Sequence, residues 1–115
     1  MEEENNMKMY IATPINSRKE PTFESRLRGA ARRIDYLKKF IGDDPMFEGY
    51  DLVSTFDIKE NEGCSEARAM GNCVEAVMTC DAIYLDHGWM QSCGCNLEYR
   101  AAKIYGKLIF EHDKL

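Results

Sequence analysis

The chain lacks the basic surplus that a general grip on nucleic acid requires. Its 15 lysines and arginines are outnumbered by 20 aspartates and glutamates, for a net charge of −5, whereas a polyanion needs a basic face. No apolar run approaches the roughly 18 residues that would span a membrane. There is no internal repeat, no low-complexity block and no linker, and only three prolines interrupt the pattern. Disulfide arithmetic also fails. The five cysteines, Cys64, Cys73, Cys80, Cys93 and Cys95, are odd in number and point to free thiols. The opening MEEENN is acidic and polar, unlike a secretory leader. A cytoplasmic protein is therefore expected, with a short flexible tail over residues 1–7 and a single domain over residues 8–115.

What is present is ordinary globular stuff with a clear rhythm. Hydrophobic residues make up 44% and charged residues 30% of the 115. A chain of this length buries roughly two-thirds of its unfolded surface in one core. Met9 to Ile15 is an apolar run, closed by Pro14 and Asn16, and reads as a buried strand. Phe23, Leu27, Ala30, Ile34, Leu37 and Ile41 recur at three- and four-residue steps, which predicts a helix over Phe23 to Gly42 with Thr22 as N-cap. Tyr50 to Phe56 reads as a second strand and Lys59 to Cys64 as a polar loop. Glu66 to Thr79 reads as a second helix, with Ala69, Met70, Cys73, Val77 and Met78 inward. Ala82 to Leu85 is a third strand, Leu97 to Tyr105 a third helix, and Leu108 to Phe110 a last strand.

Alternating strands and helices imply a parallel sheet with right-handed crossovers. The fold class expected is α/β, a flavodoxin-like, Rossmann-like three-layer domain with four to five strands. Such folds bind ligands beyond the carboxyl ends of the strands, at a topological switch point. Three segments reach that edge: Thr13 to Arg18, Asp57 to Cys64 and Asp86 to Asn96.

The stretch from Cys80 to Ala102, CDAIYLDHGWMQSCGCNLEYRAA, is the richest in chemistry. A strand, a glycine-bearing loop and a helix start form a natural anion site. Glu98, placed in the first helical turn, is expected to stay ionised beside the helix dipole and could attack an anomeric carbon. The plain alternative is capping. Gly88 and Gly94 permit tight turns and close backbone approach. Ser92 offers a hydroxyl to an anion, and Trp89 either stacks on a base or covers the core. Tyr10 packs in the first strand, or its hydroxyl orients Glu98. Thr13, Asn16 and Arg18 follow that strand. Arg18 is the nearest group to neutralise a phosphate, unless it is simply solvated. Asp86 and His87 read as a polar strand end or an acid–base pair. Cys93 and Cys95 lack the two-residue gap of a zinc knuckle, and no fourth ligand is evident, so no metal is expected.

These residues carry a resemblance. With MKMYIATPIN, CDAIYLDHGW and SCGCNLEYRAAKIYGKLIFE, the chain resembles the nucleoside 2-deoxyribosyltransferase superfamily. It looks closest to a branch of short bacterial and phage proteins related to the deoxynucleoside 5′-monophosphate N-glycosidases. The resemblance implies that Glu98 is the nucleophile, that Tyr10 orients it, and that Ser92 and the backbone around Gly94 cradle a 5′-phosphate. It places Thr13, Asn16, Arg18, Asp81, Gly88 and Trp89 among the substrate contacts. It further implies a nucleoside or nucleotide as partner, no cofactor, no membrane or nucleic-acid polymer, and a homodimer or larger homo-oligomer. Two departures stand out. Cys73 occupies the position eight before Asp81 where the superfamily carries an aspartate, and Glu75 lies about 200° around the helix from it. Thr13 and Asn16 stand where monophosphate-specific relatives carry glycine and arginine. A nucleotide-binding module without catalysis is therefore the rival reading, and a thiol or metal protein built on Cys93, Cys95 and His87 a second one.

Overall fold

A computed structural model describes residues 6–15 and 22–115. Four strands, β1 (Met7–Ala12), β2 (Tyr50–Val53), β3 (Ala82–Leu85) and β4 (Leu108–Glu111), form one sheet in the order β2-β1-β3-β4. Every pairing is parallel, with Tyr10 opposite Val53 on one side and Ile83 on the other. The helices are α1 (Phe23–Gly42), α2 (Glu66–Thr79) and α3 (Cys93–Ile104). This is the α/β three-layer arrangement the alternating pattern predicts. The chain reverses direction across the sheet between β1 and β3, so the switch point lies between their carboxyl ends.

The pleat sorts the core. Met9, Ile11, Ala82 and Tyr84 face α1 and pack on Ile34, Leu37 and Ile41. Tyr10, Ala12, Ile83 and Leu85 point the other way, onto Cys73 and Val77 of α2 and Ala101 and Ala102 of α3. A period of two in the strands thus sends alternate residues to opposite layers. Both strands are buried on both faces, which explains why they read as unbroken apolar runs.

Several element bounds differ from the sequence expectation, each for a local reason. β1 begins two residues earlier, because Met7 N–H already donates to the Gly49 carbonyl. It stops at Ala12, short of the proline that cannot donate to a ladder. β2 ends at Val53, because Ser54 and Asp57 close a capping box around a 3-10 turn. α3 starts at Cys93 rather than Leu97, since the Ser92 hydroxyl accepts from Cys95 N–H as N-cap. β4 runs one residue further, to Glu111. Met78 is 39% exposed and faces outward from α2, against expectation. Among the described residues no helix is long and apolar enough to cross a membrane.

Candidate active site

The parity of β1 aims Tyr10 at α3, where its hydroxyl donates to Glu98 Oε2 at 2.8 Å. Both groups are buried, Tyr10 at 1% and Glu98 at 6% exposure. Glu98 is the sixth residue of α3, not a first-turn residue, so the helix end does not set its charge. Burial does. It raises the carboxyl to about 7, against the opposing hydrogen bonds from Tyr10 and Cys73. The expectation of a permanently ionised carboxylate is thereby corrected: near neutrality Glu98 is poised between its two forms. Burial, with the adjacent Glu98 charge, likewise holds the Tyr10 phenol well above its usual range, so it remains a donor.

Cys73 of α2 enters the same cluster and interacts with both Tyr10 and Glu98. Its Sγ lies 3.1 Å from Thr55 Oγ1. Asn61 Nδ2 donates to Thr55 Oγ1 at 3.1 Å and to the Thr55 carbonyl at 3.2 Å. Asn72 Nδ2 in turn donates to Asn61 Oδ1 at 2.9 Å. Thr55 and Asn61 carry no signal in the sequence, because only the tertiary fold brings them to Cys73 and to its chain neighbour Asn72.

The loop before α3 is held rigidly. Gly88 sits at φ 82°, the left-handed region that favours glycine. Asn96 Nδ2 reaches back to the Met90 and Ser92 carbonyls at 2.9 and 2.8 Å. The Trp89 ring packs at a tilt on Tyr99, centroids 4.8 Å apart, and donates through Nε1 to Glu111 at 3.3 Å. A Cβ on Gly94 would meet Met70 Sδ at 3.4 Å, an ordinary contact, so packing alone does not demand glycine there. Cys93 is exposed and Cys95 buried, with burial pushing the Cys95 thiol up to about 12. Among the described residues no three His, Cys, Asp or Glu side chains could hold a metal together.

On the α1 side of the same edge, a cavity of about 730 Å³ opens between the ends of β1 and β3, lined among others by Thr13, Pro14, Arg33, Asp86, Gly88 and His112. Thr13 Oγ1 is buried with no hydrogen-bond partner among the described residues. Asp86, 2% exposed, is gripped by Arg33 through Nε at 2.9 Å and Nη2 at 2.7 Å. This bidentate pair joins residues 53 apart, which no sequence pattern announces. Glu98 does not line the cavity. Glu98, on the other face, is a buried carboxylate oriented by a neutral donor, and no basic partner is seen for it among the described residues. Tyr10, Glu98, Ser92, Gly94 and Trp89 thus gather on the α2–α3 side, while Thr13 and Gly88 line the cavity. Asp81 is elsewhere: it precedes β3, at the amino end of the sheet, where its Oδ2 accepts from Lys8 N–H at 2.8 Å. Asn16 and Arg18 lie outside the described residues.

A family model described as Domain of unknown function (DUF4406) matches residues 7–111, and the chain belongs to that family. Among solved structures, the chain is similar to a 2-desoxiribosyltransferase from Leishmania mexicana, with a TM-score of 0.62 and 16% identity. The alignment covers 91% of this chain and 63% of that one. At that identity the likeness is one of fold. No curated protein matches.

Proposed function

We propose that this DUF4406 protein cleaves the N-glycosidic bond of a nucleoside or nucleotide, with Glu98 as nucleophile. The observation that carries the reading is the buried Tyr10–Glu98 hydrogen bond of 2.8 Å, beneath a glycine-bearing loop on the carboxyl side of a parallel sheet. The fold shared with a deoxyribosyltransferase supports it. In its ionised form Glu98 attacks the anomeric carbon as the base departs, through an oxocarbenium-like transition state. The glycosyl ester that results is resolved by water or by a second base, with net retention. Tyr10 holds one carboxylate oxygen and leaves the other to form the new bond. Ser92, its hydroxyl proton not used by the cap, and the backbone around Gly94 face the 5′ end of the sugar, with Arg18 and Asn16 assigned to a phosphate. Thr13, Gly88 and Trp89 complete the substrate contacts, and Asp81, before β3 at the amino end of the sheet, is not among them. The protein self-associates in this reading, which the outward Leu97 and Ile104 of α3, 47% and 75% exposed, favour; sedimentation measures it directly.

The decisive experiment is chromatographic detection of free base from a panel of deoxynucleosides and their 5′-monophosphates. Base release that disappears in Glu98→Ala is the expected result. Release that survives that change removes Glu98 from the mechanism. The rival reading, a nucleotide-binding module, draws on one observation, a thiol at Cys73 within the carboxylate cluster. It expects ligand binding with no base from any substrate.

A further inference from the structure

The strand β4 closes the sheet on one side, and no strand lies beyond it among the described residues. One bond fixes the direction of its backbone groups. The Leu108 N–H donates inward, to the Asp81 carbonyl at 3.1 Å. In a planar trans peptide the carbonyl points opposite to the N–H, so the Lys107 carbonyl faces outward. The pleat repeats every second residue, and β4 keeps register with β3 from Leu108 opposite Ala82 to Glu111 opposite Leu85. Ile109 therefore turns both its N–H and its C=O outward, and Glu111 its N–H. A row of outward groups is a template for another strand. Neither proline nor glycine interrupts Leu108–Glu111, and Leu108 stands 53% exposed.

We propose that β4 pairs with β4 of a second copy of this chain, antiparallel about a two-fold axis at Ile109, joining two four-stranded sheets into one. Outward-facing residues must stand opposite one another in hydrogen-bonded pairs, so the possible registers differ by steps of two residues. With the axis at Ile109, that residue meets its own copy, Leu108 meets Phe110, and Lys107 meets Glu111. Apolar groups then face apolar groups, and opposite charges meet at both ends. An axis at Leu108 or Phe110 sets Ile109 against Lys107 or Glu111 instead. The bonds are two at the axis, between the Ile109 N–H and C=O groups, and one at each end, from the Glu111 N–H to the Lys107 carbonyl. The Lys107 N–H does not take part, being spent on the Ala102 carbonyl at 2.9 Å. The Glu111 carboxylate also holds Trp89 Nε1 and Lys114, each at 3.3 Å, and has acceptor sites to spare. The pairing thus braces the loop before α3 from outside. It rests on the self-association in the reading above and names the face that makes it. A monomer overturns both, whereas a dimer held by another face overturns this assignment alone.

The experiment is sedimentation equilibrium of the full chain over a concentration series, with two kinds of variant. Ile109→Pro removes an outward N–H and leaves the bonds to β3 in place. It should raise the dimer dissociation constant about tenfold or more, the scale of two lost hydrogen bonds. Lys107→Glu sets like charges against each other at both ends and should weaken the dimer by about tenfold. Adding Glu111→Lys to it restores opposite charges and should bring the constant back toward the parent value. A parent that stays monomeric throughout the series overturns the proposal. So does a dimer unmoved by Ile109→Pro. If Ile109→Pro fails to fold, the charge variants decide alone: recovery in the double variant supports the paired edge, and a double variant as weak as Lys107→Glu overturns it.

Discussion

Glu98 carries two consequences at the scale of a single residue. Its folded value, about 7, lies above the ordinary 4.5 because of burial. Between those values the native state holds a proton that the unfolded chain has released. The stabilisation is therefore complete below pH 4.5 and is lost as pH rises through 7, by up to roughly 3 kcal/mol. Urea midpoints should show the parent losing stability across that window relative to Glu98→Gln, which cannot titrate; parallel curves would mean that Glu98 is not buried in this way. Catalysis runs in the opposite sense. A nucleophile must be ionised, so kcat/KM should climb with pH along a limb centred near 7. A profile falling through neutrality would assign Glu98 to proton donation instead. Arg33 is the second residue of consequence. Arg33→Ala strands a buried carboxylate that keeps, among the described residues, the His87 N–H at 2.7 Å, and should cost about 2 to 3 kcal/mol in chemical denaturation.

Among the elements, α3 sets the geometry and was the hardest to read. Its true start is hidden by poor helix formers, since the first three residues are Cys93, Gly94 and Cys95. Ser92 was legible as a polar loop residue but not as a cap, because its meaning depends on where the helix begins. By contrast α1, α2 and β3 match expectation at their bounds, since each combines an unbroken period with a clean cap or a strand buried on both sides. Tyr10 beside Glu98 was readable once strand parity and helix order were combined. The Arg33–Asp86 pair and the approach of Thr55 and Asn61 to Cys73 were not, since they link segments with no local pattern between them. Gly94 offers the test that belongs to this element. Gly94→Ala should stabilise the protein by about 0.5 to 1 kcal/mol through helix propensity, because a Cβ comes no nearer than 3.4 Å to any neighbour, the first being Met70 Sδ. If the Gly94 backbone cradles a phosphate, the same change should weaken monophosphates more than nucleosides. Thermal melting and a binding titration on one protein sample separate the two effects, and a monophosphate affinity that holds steady removes Gly94 from the cradle.

Across the whole molecule, the strand order β2-β1-β3-β4 does the gathering. It places the ends of β1 and β3 side by side, with the Thr55–Asn61 segment after β2 on one flank and the Gly88–Ser92 loop on the other. One edge of the sheet thus presents both a poised carboxylate on the α3 side and a cavity of about 730 Å³ on the α1 side. A ligand that engages only the folded edge stabilises the entire fold, by roughly 2.7 kcal/mol at a hundred times its dissociation constant. The enzyme and binding-module readings both expect that gain, so stabilisation by itself does not distinguish them. They part in Glu98→Gln. That variant keeps the shape of the side chain and its place beside Tyr10 while losing the nucleophile. For an enzyme, the substrate that stabilises the parent should still stabilise the variant, and base release should fall by at least a thousandfold, about 4 kcal/mol of barrier. Thermal shift and chromatography on the same ligand panel read both quantities. A ligand that stabilises parent and variant alike, with no base released by either, would make this edge a nucleotide-binding surface whose carboxylate serves the fold.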